Sequence, residues 1–135
     1  MRSIGGLMSA PNDCMSTIEP GPSAGDIYLA NLNSIRGSEQ SGVRPVIVIS
    51  EQTMNCRLKR VIVCPVTSNM QPWMTKVALP DHLETRGMVL VDQVRSIDKA
   101  ERLLRFIEPT SPAFLGEVRS YLGRLLGLEL PDSAG

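Results

Sequence analysis

Two stretches of the chain, PVIVIS at residues 45–50 and RVIVCPVTS at residues 60–68, are almost unbroken apolar runs. Both are rich in β-branched residues and too short for a buried helix, so they read as strands covered on both faces. A sheet holding such strands needs apolar material on either side. The chain has 135 residues, 42% of them apolar, enough for one domain with a real core. No apolar run approaches the length of a membrane span, so no membrane partner is expected.

Shorter β-rich segments at residues 25–32, 75–80, 87–95 and 102–109 add strands around these two, and Pro65 is expected to cut the second run short. Residues 51–59 leave room for a short helical turn. The last element reads as a helix, with Ser111 as N-cap and Pro112 in the first helical position. Phe114, Leu115, Val118, Leu122, Leu125 and Leu126 recur at helical spacing and form one apolar face. Gly127 is a plausible stop. Gly116 and Gly123 each weaken the helix by about 1 kcal/mol relative to Ala, so packing must hold it. The expected fold is mainly β (α+β), a small, strongly bent antiparallel barrel with a C-terminal helix. That domain is expected over residues 24–128. Residues 1–23, rich in Ser, Pro and Gly, read as a flexible extension, or as an overlong start ahead of Met8 or Met15. Residues 129–135 read as a frayed tail.

Fourteen basic residues balance fourteen acidic ones, so any nucleic-acid binding must come from local clustering of charge. Cys14, Cys56 and Cys64 are odd in number and lack a C-x-x-C pair, which suggests neither a disulfide framework nor a zinc site. With the single His82, no metal site and no cofactor are expected. The opening residues make a poor signal peptide, and a cytoplasmic location follows as the simple reading.

Three polar stretches carry candidate chemistry. In RGSEQSGVRP, Gly37 and Gly42 allow main-chain N–H groups to approach a phosphate, Ser38, Glu39 and Gln40 bring hydroxyl, carboxylate and amide, and Arg44 sits where loop becomes strand. Read without a partner, the same residues shape a long hairpin in which Arg44 pairs with Glu39. In CPVTSN, Thr67 and Ser68 lie at the end of a buried strand, where their hydroxyls either donate to a phosphoryl oxygen or close a turn. In VLVDQVRSID, Gln93 and Arg95 share a strand face, suited to a base edge and a phosphate or to ordinary surface pairing. Trp73 and Met74 either stack a base or pack in a core or dimer contact, and the charges of RLKR at residues 57–60 read as solvated.

Taken in order, GDIYLANLN, RGSEQSGVRP, CPVTSN and LVDQVRSID resemble the MazF/PemK (Kid-like) toxins of bacterial type II toxin–antitoxin systems. The match spans about residues 25–127. The resemblance implies an SH3-like barrel, a homodimer, and a metal-independent endoribonuclease that cuts single-stranded RNA at short sequences. It assigns catalysis to Arg44 and Thr67, with Glu39 linked to activity in some members. Gly37, Ser38, Gln40, Ser68, Gln93 and Arg95 then become RNA-binding candidates. It also implies a cognate antitoxin whose extended acidic and apolar segment covers the same groove, with DNA bound only by the toxin–antitoxin complex. The chain departs from the pattern in its long N-terminal extension and at Asn31, where members often carry Asp.

RNA supplies its own nucleophile, the 2′-hydroxyl, and the expected products are a 2′,3′-cyclic phosphate and a 5′-hydroxyl. Bringing a free arginine's pKa down to neutrality would cost about 9 kcal/mol, at about 1.36 kcal/mol per unit. Arg44 is therefore expected to act as a fixed charge, leaving proton transfer or the orienting of Arg44 to Glu39. Two other readings are a gyrase-binding toxin on the same barrel, and an adaptor with an inert groove.

Overall fold

The computed structural model describes residues 21–33 and 42–128. Gly37, Ser38, Glu39 and Gln40 lie outside the described residues, as do most of the N-terminal extension and the tail. Among the described residues there are seven strands: β1 (Ile27–Asn31), β2 (Val43–Val48), β3 (Arg60–Thr67), β4 (Lys76–Ala78), β5 (Met88–Leu90), β6 (Arg95–Asp98) and β7 (Leu103–Glu108). Two single-turn helices, α1 (Gln52–Asn55) and α2 (Lys99–Arg102), sit between strands, and α3 (Pro112–Leu125) follows the sheet.

All pairings are antiparallel, in the order β4-β5-β3-β2-β1-β7. β6 joins the same edge of β3 as β5, pairing with Arg60–Val63 while β5 takes Val66 and Thr67. β3 thus holds β2 along one edge and two different strands end to end along the other, which bends the sheet sharply. Among the described residues the barrel does not close: β6 and β7 are bridged by α2, not by a ladder.

Strand alternation explains the doubly buried runs. Val46 and Val48 of β2 pack with Ala30, Leu32, Val61, Val63 and Ile97 inside the curl. Ile47 of β2 and the following Ile49 face the other way, onto a second core with Ile27, Cys64, Val66 and the α3 residues Phe114, Leu115 and Val118. Ser111 caps α3 as expected, its Oγ accepting the Phe114 N–H at 3.1 Å, and Pro112 opens the helix. Arg119 ties α3 to the sheet through the Ile49 carbonyl at 2.7 Å and the Glu51 carboxylate at 2.8 Å. Leu125 and Leu126, expected on the buried face, are instead 47% and 61% exposed.

Pro65 does not end its strand. It pairs with Val46, and on the opposite edge it sits at the changeover from β6 to β5, where no ladder partner is required. The segment at residues 87–95 is not one strand: a 3₁₀ turn at Val91–Gln93 separates β5 from β6. Gln93 and Arg95 therefore do not share a strand face, since period-two alternation does not run through a turn.

The start of the described chain is well held. The Gly25 N–H donates to the Val48 carbonyl at 2.7 Å, and the Gly25 carbonyl accepts from Thr110 N and Oγ1 at 3.0 and 2.7 Å. A Cβ at Gly25 would lie 3.1 Å from Thr110 Oγ1, and its φ of +95° is one that side chains avoid. Burial raises the Asp26 carboxyl above its ordinary value, opposed by the Ser23 N–H donated to it at 3.0 Å. Buried Asn55 donates to the Pro22 and Ser50 carbonyls and accepts from Ser50 Oγ, so its polar atoms are satisfied. Cys64 is a buried free thiol pushed up to about 12 by burial and by the charge of Asp92. Cys56, for which the sequence suggested no disulfide, is disulfide-bonded. Among the described residues no helix is long and apolar enough to cross a membrane.

Candidate active site

Arg44 and Thr67 come from the two runs that define the fold. Val46 of β2 faces Pro65 of β3, and carrying that register two residues outward sets Arg44 opposite Thr67. The side chains agree with the backbone: Arg44 Nη1 donates to the Val66 carbonyl at 3.3 Å, one residue from Thr67. Arg44 is the second residue of β2, where the loop becomes strand. A cation fixed on a strand keeps its aim better than one on a loop.

Thr67 is 5% exposed, and its Oγ1 accepts the Asn69 N–H at 3.1 Å. That bond fixes the hydroxyl oxygen and leaves its proton to be donated elsewhere. The turn continues as Asn69 Oδ1 accepts the Gln71 N–H at 2.8 Å, while Lys76 Nζ reaches the Gln71 carbonyl at 2.9 Å. Beyond this turn Met70, Trp73 and Met74 are all more than half exposed, so Trp73 and Met74 are not core residues of the single chain. Ser68 follows Thr67 and is exposed.

Gly87 is the residue that sequence reading passed over. It precedes β5 with φ +136°, and a Cβ there would fall 2.3 Å from the Thr67 carbonyl oxygen and 2.9 Å from Val66. Only glycine lets that chain cross so close behind Thr67. The signal was a glycine opening an apolar strand, which by itself marks many turns.

The remaining predicted residues lie further off. Arg95 is half-buried on β6, paired with Val63, four residues along β3 from Thr67, or about 13 Å by strand rise. Gln93 is half-buried in the 3₁₀ turn. The β1–β2 connection ends at Gly42, whose φ is +86° and whose carbonyl accepts the Leu32 N–H at 2.8 Å. Among the described residues no group of three His, Cys, Asp or Glu side chains is placed to hold a metal ion.

Known proteins resemble the chain in sequence and in fold. A family model described as "PemK-like, MazF-like toxin of type II toxin-antitoxin system" matches residues 23–126. The protein named endoribonuclease MazF from Staphylococcus epidermidis is 35% identical over 113 residues, covering 77% of this chain and 90% of that one. Its namesake from Staphylococcus saprophyticus is 34% identical over the same shares. The crystal structure of MazF from Deinococcus radiodurans superposes with a TM-score of 0.76 at 37% identity, covering 80% of this chain and 98% of that one. A MazE–MazF structure from the same organism gives a TM-score of 0.70 at 34% identity, with 81% and 98% covered. With the family model spanning the whole sheet and α3, the chain belongs to the PemK-like, MazF-like toxins of type II toxin–antitoxin systems.

Proposed function

We propose that this chain is the toxin of a toxin–antitoxin pair and acts as a metal-independent endoribonuclease on single-stranded RNA. The convergence of Arg44 and Thr67 carries the reading. The ribose 2′-hydroxyl attacks the adjacent phosphorus, the 5′-oxygen of the next nucleotide leaves, and a 2′,3′-cyclic phosphate and a 5′-hydroxyl result. Arg44 and the Thr67 hydroxyl donate to the non-bridging oxygens as negative charge grows on them. Arg44 stays cationic, and Glu39 moves the proton or orients Arg44. DNA, lacking the 2′-hydroxyl, is spared. Gly37, Ser38, Gln40 and Ser68 hold RNA beside the cut, while Gln93 and Arg95 act further along the strand. Incubating the purified protein with a long RNA and a chelator, then identifying the ends, tests this reading. Cyclic phosphate and 5′-hydroxyl ends are expected, and intact RNA overturns it.

The protein is proposed to work in the cytoplasm, where its substrate is, and to be silenced by an antitoxin segment lying over the Arg44–Thr67 groove. The Deinococcus radiodurans MazE–MazF complexes are the precedent for such a partner. DNA is engaged only through that complex. We further propose a homodimer. Met54 in α1, Leu58 just after it, Ile62 on the outside of β3, and Leu126 and Leu128 at the end of α3 are all exposed. The two grooves they line share Ser50 and Ile62, so the apolar surface is continuous. A continuous exposed face of this kind is what a two-fold, self-complementary contact buries.

A further inference from the structure

A cavity of about 490 Å³ opens between the end of β1, β6 and α2, lined among others by Asn31, Arg60, Arg95, Ser96, Glu101 and Arg102. We propose that it is a base-reading subsite that takes one guanine of the RNA strand a few nucleotides from the scissile phosphate. The inference rests on the nuclease reading above.

The lining mixes guanidinium groups with carboxylates, which suits a base better than a bare phosphate. Arg60 is pre-aimed: its Nε donates to Ser96 Oγ at 2.9 Å and its Nη2 to the Ser96 carbonyl at 2.7 Å. Both partners are neutral, so they orient the cation without cancelling it. Asp98 is occupied as the N-cap of α2, accepting the Glu101 N–H at 2.9 Å. The Glu101 carboxylate, on the exposed side of α2, has no ion-pair partner among the described residues and lines the same cavity. Arg102 braces the wall by donating to the Asn33 carbonyl at 2.9 Å. Guanine alone among the RNA bases sets two adjacent acceptors, O6 and N7, beside two adjacent donors, N1–H and the 2-amino group. A guanidinium fork meets the first pair and a carboxylate the second.

Position favours a base a few nucleotides from the cut. Asn31 lies opposite Val43, one rung of the β1–β2 ladder from Arg44 and with its side chain on the other face. Along β3, Arg95 is about 13 Å of strand from Thr67, and Arg60, at the far end of the strand, about 23 Å, so the cavity lies a few nucleotides from the cut.

The test titrates the full-length wild-type protein with GMP, IMP, AMP, CMP and UMP, following the Arg60 Nε–H and the Ser96 and Glu101 amide signals by nitrogen-15 NMR. GMP should shift them saturably, with AMP, CMP and UMP at least 10-fold weaker, and IMP, which lacks the 2-amino group, in between. Arg60→Gln should remove the GMP response, and Glu101→Gln should make GMP and IMP equivalent. In cut-site mapping on a long RNA, guanine should recur at a fixed place near the cut, and Glu101→Gln should lower that preference at least 10-fold. Equal responses to every nucleotide would mean a phosphate contact and would overturn the proposal, as would no response to GMP. A guanine-specific response from a protein that cuts no RNA would sink the nuclease reading alone. Cutting without a GMP response would sink this subsite alone.

Discussion

Arg44 commits a guanidinium N–H to the Val66 carbonyl, and the Thr67 hydroxyl accepts from Asn69 N–H, so both groups are oriented before any substrate arrives. Pre-oriented donors are where an enzyme lowers the barrier of a reaction that develops negative charge. Arg44→Ala should therefore slow formation of the cyclic phosphate by about 10²–10³-fold, the loss seen when one transition-state donor is removed. Arg44→Lys should recover part of it, keeping charge without the planar fork. Thr67→Ala should act on rate in the same range while costing about 1 kcal/mol of stability, because the Asn69 N–H loses its acceptor. Single-turnover cleavage and urea unfolding, run side by side, separate the two effects. Gly87 matters for a different reason. Gly87→Ala forces a side chain to φ +136° and drives a methyl group to 2.3 Å from the Thr67 carbonyl. Backbone strain alone is worth about 1–3 kcal/mol. A lower urea midpoint is expected, together with a cleavage defect that persists at temperatures where the variant is fully folded. Unchanged cleavage in the folded variant would separate Gly87 from the Thr67 position.

At the scale of elements, β3 organises the molecule because it serves three partners. Its apolar run was readable as a strand buried on both faces, and the two cores on either side account for that. α3 was readable too, from its cap and spacing, except for the last turn, where Leu125 and Leu126 follow the pattern of a buried face but are exposed. The break at Val91–Gln93 was not readable, since an apolar stretch with strand composition gives no local sign of a 3₁₀ turn. The Arg44–Thr67 pair was legible as two motifs, but their meeting depends on the β2–β3 register, which sequence spacing does not set. Glu108, at the end of β7, is a contact no motif marked. Its carboxylate accepts from Thr85 Oγ1 at 2.6 Å, from Thr85 N–H at 2.7 Å and from Glu84 N–H at 3.1 Å, tying down the loop ahead of Gly87. Desolvation pushes its pKa up, but the bonds from Thr85 and Glu84, with the charge of His82, outweigh it and hold the carboxyl below its ordinary 4.5. A lowered folded-state value means the charged form favours folding. That stabilisation is complete above 4.5 and disappears as the pH falls through the folded-state value. Glu108→Gln should accordingly melt at a lower temperature than wild type at neutral pH, and the gap should narrow in acid. Thermal melts followed by circular dichroism across that range check it.

For the molecule as a whole, the exposed apolar face decides whether the folded chain acts alone. Ile62→Asp places a charge at its centre, on a side chain already 43% exposed, so the fold should survive while self-association fails. Sedimentation velocity should show wild-type dimers and monomers of the variant. A wild-type monomer at all concentrations would remove the homodimer. Arg60 and Ser96 border that apolar groove and also line the cavity proposed for guanine. The seam between two copies would then run beside the groups that choose the base, and each subunit would steady its neighbour's choice. Diluting the toxin until pairs fall apart should make it less discriminating as well as slower, so its errors would concentrate where it is scarcest.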